Sequence, residues 1–160
     1  MPLRGRDIKL WSQGQILSHT LPLHILLTAD AVTISLENQK NGHKNAVLHH
    51  TASGDPTFCP VFASAHLVYA LGGNSESALG TFLDEKGKTA SVKASDIRSA
   101  VRAGAVGDKL HDCGYDLKRI GSHSLRSGGT MHLKLAGYDN DIIMKLGRWS
   151  SNTYLHYIQS

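Results

Sequence analysis

Cysteine is scarce: Cys59 and Cys113 stand alone, with no second cysteine at short-loop or metal-ligand spacing. That excludes a disulfide scaffold and a cysteine-based zinc module, and it fits a reducing compartment, cytoplasm or nucleus. No apolar run approaches the roughly 20 residues that cross a bilayer. The opening "MPLRGRDIKLW" lacks the apolar stretch of a secretory signal, so no membrane partner is expected. Histidine is plentiful, at ten residues, yet His19, His24, His49, His50 and His111 make no ligand spacing, and there is no HExxH. Metal catalysis is therefore set aside, and no cofactor is expected. Internal repeats and low-complexity stretches are also missing.

What is present describes a globular protein. In 160 residues, 41% are hydrophobic and 19% charged, enough apolar surface for one domain with a proper core and too much for a disordered chain. The net charge of +4 is unevenly spread. Residues 1–85 hold five Lys/Arg against seven Asp/Glu, and residues 86–160 hold twelve against six. A basic second half suits a polyanion, because Lys and Arg that neutralise phosphates release counterions.

The hydrophobic period changes along the chain. "DIKLW" (residues 7–11) alternates as a short strand, ended by "SQGQ". "AVTISLENQK" (31–40) alternates Val32, Ile34 and Leu36 against Thr33, Ser35 and Glu37, the period of a half-buried strand. Asn41-Gly42 is a strong hairpin signal, and "AVLHH" (46–50) returns. "CPVFASAHLVYAL" (59–71) reads as a helix with Pro60 in its first turn and a stop at Gly72-Gly73. Residues 72–94 read as a polar connection. Ser95 is a plausible N-cap for a helix with Ile97, Val101 and Leu110 on its apolar stripe. A loop then enters a helix near Leu125 that stops at Gly137. "DNDIIMKLG" (139–147) is a short helix capped by Asp139 or Asn140, and "SSNTYLHYIQ" (150–159) a last one capped by Ser150 or Ser151. The expected fold is α+β: mainly helical, with a small antiparallel sheet near the N-terminus, in one domain spanning 1–160.

Five side chains invite chemistry. His123 and Arg126, in "HSLRSGG", lie one helical turn apart and share a face. At a helix start they suit an anion, where unpaired backbone N–H groups also point. The bland alternative is a capping loop, with His123 on a carbonyl and Arg126 on an aspartate. Lys40 precedes the hairpin turn, either as a solvated charge or as a proton donor to a leaving oxygen, with Lys44 a weaker candidate for that role. Trp149, in "LGRW", is either a core aromatic or a wall with an indole N–H for a phosphate oxygen. Tyr157 would need cationic neighbours to act as a nucleophile, since an unperturbed phenol titrates near pH ~10. Tyr154 lies on the same general helix face.

The order of these motifs resembles the tyrosine recombinase (phage integrase) family: a hairpin lysine, HxxR before a small-residue helix, "LGRW", then a tyrosine in the last helix. The similarity is closest over residues 122–160 and looser over 37–63, and its wording looks most like recombinases of eukaryotic mobile elements. The resemblance implies the catalytic-domain fold of that family and metal-free DNA breaking and rejoining. It makes Tyr157 the nucleophile that forms a 3′-phosphotyrosyl link. Arg126 would clamp the non-bridging oxygens, His123 would assist proton transfer, and Trp149 would fill the family's His-or-Trp position. Lys40 would protonate the leaving 5′-oxygen. The implied partners are double-stranded DNA and further copies of the chain, a tetramer on DNA and a monomer alone.

Two features depart from the family pattern. Trp149 and Tyr157 are one residue closer than in the best-known members, which leaves Tyr154 as a second candidate nucleophile. The family's first arginine, in a "GLRxxEL"-like segment, has no counterpart, since Arg4 and Arg6 align too late. The expectation is an N-terminally truncated catalytic domain with impaired activity. The alternative is a DNA-binding relic that has lost the chemistry.

Overall fold

The computed structural model describes residues 2–38, 44–149 and 154–155. Among the described residues the elements are α+β: five α-helices with a small antiparallel sheet and one additional hairpin. The chain divides into two compact units, Met1–Ser91 and Val92–Ser160.

The first unit is built on a four-stranded antiparallel sheet of order β2-β1-β3-β4. Strand β1 (Ile8–Ser12) turns at Gln13-Gly14 into the two-residue β2 (Gln15–Ile16). Both turn residues have positive φ, 50° and 78°, the conformation that matches the twist of a tight hairpin. On its other side β1 pairs with β3 (Ala31–Asn38), Ile8 opposite Ile34 and Leu10 opposite Val32. Strand β3 pairs with β4 (Lys44–Thr51) in the register expected of a hairpin, Ile34 opposite Leu48 and Asn38 opposite Lys44. The tip residues between them, Lys40 and Asn41-Gly42 included, lie outside the described residues.

Alternation decides which sheet face is buried. Ile8 and Leu10 of β1 and Val32 of β3 have 2% exposure or less, and helix α2 (Pro60–Ala70) covers them. Its buried residues Val61, Ser64, Ala65 and Val68 follow the i, i+3, i+4, i+7 spacing of one helical face. Pro60 occupies the first turn, where a missing N–H costs nothing. Gly72 and Gly73 follow at φ 58° and 80°, ending the helix as the sequence suggests. A one-turn helix α1 (Leu23–Leu26) adds Leu26 to this core. Each such side chain contributes roughly 1.5–3 kcal/mol of burial.

The stretch 72–94 is more ordered than a polar connection. It contains the hairpin β5 (Thr81–Leu83) and β6 (Thr89–Ser91). Its turn is organised by Asp84, whose Oδ1 accepts the N–H groups of Lys86 and Lys88 at 2.9 and 2.8 Å. The self-closing side chain of Asp84 is the turn signal that strand length alone conceals.

The second unit is helical. Helix α3 (Ala94–Gly107) starts two residues earlier than a Ser95 cap requires. Lys93 is the cap residue, and its N–H donates to Asp96 Oδ2 at 2.8 Å. The buried residue of α3 is Ala105, while Ile97 is exposed, so the apolar stripe is narrower than its sequence suggests. Arg102 Nε donates to the Ile120 carbonyl at 2.9 Å and ties α3 to a 3-10 turn at Leu117–Arg119. Helix α4 (Ser122–Leu135) begins before Leu125. Gly121 is its cap residue and donates its N–H to Ser124 Oγ at 3.1 Å. Helix α5 (Asn140–Gly147) follows, with Asp139 at its N-cap position, and Lys134 Nζ bonds Asn140 Oδ1 at 3.0 Å where α4 gives way to α5. No helix among the described residues is long and apolar enough to cross a membrane.

Candidate functional site

The second unit gathers the "HSLR" and "LGRW" motifs at one place. His123 and Arg126 lie in the first turns of α4, three residues apart and both exposed. Ser127 Oγ bonds the His123 carbonyl at 3.2 Å and Thr130 Oγ1 the Arg126 carbonyl at 2.8 Å. Small hydroxyl residues here return their polar atoms to the helix backbone.

Trp149 reaches Arg126 because of how α5 ends. Arg148 adopts the left-handed conformation, φ 54° and ψ 43°. Its N–H bonds the Lys145 carbonyl at 3.2 Å, and the Trp149 N–H bonds the Met144 carbonyl at 2.9 Å. This pair of backward bonds is the Schellman closure, usually made with glycine where Arg148 stands. The closure folds Trp149 back onto the helix end, where its ring lies against Gly147. A Cβ built on Gly147 would overlap that ring, so no larger residue fits without moving the indole.

Gly147 also holds the arginine. Arg126 Nη2 donates to the Gly147 carbonyl at 2.7 Å, and its guanidinium carbon sits 4.4 Å from the Trp149 ring centroid. Stacking on an indole face is favourable for a planar cation and fixes the plane in which its N–H groups point. On the Trp149 side, the Tyr154 ring is 6.1 Å away, centroid to centroid, and tilted by 45°. Tyr154 is 2% exposed.

Arg126, Trp149 and Tyr154 are therefore in contact in sequence along the site, with His123 one turn before Arg126. Lys40 and Tyr157 lie outside the described residues, as do the Ser150 and Ser151 caps expected for a last helix. Gly147 was not evident as a functional position. The signal was available in the "LGRW" string itself: a glycine two residues before a tryptophan at a helix end.

The second unit has a positive balance of charge. Residues 92–160 carry ten Lys/Arg against six Asp/Glu. Among the described residues no three His, Cys, Asp or Glu side chains come together as a metal site. The recess along the β5–β6 hairpin, lined by Phe82, Leu83, Asp84, Glu85 and Lys86, holds none of the candidate residues.

One titrating group stands apart in the first unit. Burial pushes the Cys59 thiol up, but hydrogen bonds from Phe62, Ser53 and Val61 outweigh it, leaving the thiol below its ordinary value of 9.0. Cys59 occupies the N-cap position of α2, where helix N–H groups favour a thiolate.

Comparisons with models of known families, with curated proteins and with solved structures returned no match.

Proposed function

We propose that this chain is a tyrosine recombinase catalytic domain that breaks and rejoins double-stranded DNA, assembling as a tetramer on it. The observation that supports this most is the seating of Arg126 between the Gly147 carbonyl and the Trp149 ring. Two motifs that belong together in such a site, distant in sequence, are adjacent in space. An oriented guanidinium suits a phosphate, whose non-bridging oxygens accept paired N–H groups.

The reaction assigned to these residues needs no cofactor. Tyr157 gives up its phenolic proton to His123 as its Oη attacks phosphorus and forms a 3′-phosphotyrosyl ester. The bond from phosphorus to the 5′-oxygen breaks, and that oxygen takes a proton from Lys40. Arg126 stabilises the charge that builds on the non-bridging oxygens. His123 assists proton transfer, and Trp149 holds Arg126 in place. Tyr157 rather than Tyr154 is the nucleophile: a phenol that is 2% exposed and packed on Trp149 serves the wall of the site, and a nucleophile must reach the strand.

The test uses nicked duplexes, which trap the covalent intermediate even when turnover is slow. The expected result is a denaturant-resistant adduct that disappears in Tyr157→Phe and persists in Tyr154→Phe. Loss in Tyr154→Phe alone overturns the assignment. Salt-sensitive duplex binding with no adduct would favour the relic reading instead.

A further inference from the structure

A second place where guanidinium groups converge lies in the first unit. Arg4 caps the 3-10 turn at Gly5–Asp7 and Arg6 lies within it, and both donate Nη1 to a single oxygen, Glu76 Oε2, at 3.1 and 2.7 Å. Their side chains are 35% and 45% exposed, and that of Glu76 is 57% exposed. Among the described residues this one oxygen is the side-chain partner both guanidiniums have. The nearest other carboxylate on the turn, Asp7, accepts the backbone N–H of Arg4 at 2.7 Å.

The ion pairs are not what holds this region together. The Gly5 and Arg6 N–H groups bond the carbonyls of Ser77 and Ser75, and the Leu79 N–H bonds the Leu3 carbonyl, at 3.1, 2.8 and 2.8 Å. Gly5 lets the two backbones meet: a Cβ there would come within 3.1 Å of Ser75 Cα. Exposed ion pairs contribute about 0–1 kcal/mol each, so releasing Glu76 costs the fold little. Two like charges are nevertheless held side by side on a stitched frame, sharing one carboxylate oxygen between ten N–H donors.

We propose that Arg4 and Arg6 form a contact for one phosphodiester of duplex DNA, and that Glu76 masks it until a phosphate displaces the carboxylate. Two non-bridging oxygens match two guanidiniums better than the single oxygen they share. Glu76 lowers the contact's affinity and makes its use dependent on a polyanion. This contact rests on the DNA partner proposed above but not on the covalent chemistry, since it needs neither Tyr157 nor Arg126.

The experiment measures anisotropy of a fluorescein-labelled duplex across a salt series, with the full chain carrying Tyr157→Phe so that only binding is read. Arg4→Ala/Arg6→Ala is expected to weaken binding roughly tenfold and to reduce the log–log salt slope by about 0.9, the loss of one phosphate contact. Arg4→Lys/Arg6→Lys keeps the slope. Glu76→Gln tightens binding by about threefold or more. Circular dichroism melts verify that each variant is folded. Unchanged affinity and slope in Glu76→Gln and in the folded double-alanine variant overturn the contact, and leave the recombinase reading intact if the chain with Tyr157 in place still forms its adduct on nicked duplexes. No duplex binding by the parent chain at low salt overturns both.

Discussion

Arg126 lies over the Trp149 ring, with the guanidinium carbon 4.4 Å from the indole centroid and its Nη2 on the carbonyl of Gly147, two residues before the ring. The carbonyl and the ring hold the arginine from two directions. A double-mutant cycle of Arg126→Ala and Trp149→Ala, read by denaturant unfolding, is expected to give a coupling of about 0.5–1 kcal/mol, the value of an exposed cation–π pair. Additive single mutants would mean that the stacking contributes nothing.

Gly147→Ala reverses the usual gain from replacing a helical glycine. The added Cβ meets the Trp149 ring, and overpacking of this kind costs about 1–3 kcal/mol. In a Trp11→Phe background, Trp149 is the single fluorophore of its type. Its emission should shift to the red as the ring leaves Gly147, and the protein should melt earlier. An unshifted spectrum with raised stability would contradict the close approach.

Arg148 holds a left-handed conformation, φ 54°, that carries a steric cost for any residue with a Cβ. Arg148→Gly should be more stable than Arg148→Ala by about 1 kcal/mol, because both lose the side chain and only glycine relieves the backbone. Equal unfolding midpoints would show that α5 does not end in this closure.

Cys59 ties stability to pH. Its thiol lies below the ordinary 9.0: burial raises it, and hydrogen bonds from Phe62 and Val61 of α2 and from Ser53 together lower it by more. Because the folded value is depressed, the unfolded chain binds more protons in this window, and stability rises with pH. The contribution is fully present above the unfolded thiol's value and is lost as pH falls through the folded one. Urea midpoints measured up to and past pH 9.0 should rise in the parent chain, and the rise should flatten in Cys59→Ser. Parallel pH curves would refute the thiolate's role.

Much of the first unit can be read locally. Alternation at Val32, Ile34 and Leu36 marks β3, and Pro60 with the Val61, Ser64, Ala65, Val68 spacing marks α2. What escaped such reading was short. The two residues of β2 and the three of β5 and of β6 carry too few positions to show a period, and one-turn α1 shows no face. Cap positions slipped where a side chain three residues further on took the bond: Asp96 accepts from Lys93, and Ser124 from Gly121.

By itself the sequence determined the α+β content, the longer elements and the order of the residues with chemistry, because hydrophobic period, proline, glycine and charge act over a few positions. The partners of those residues were decided only in three dimensions. Nothing local to Arg126 specifies the Gly147 carbonyl or the Trp149 face, and nothing local to Arg4 and Arg6 specifies Glu76. Each pairing depends on a backbone reversal, at Arg148 or through the stitched segment after α2, that brings distant side chains within bonding distance.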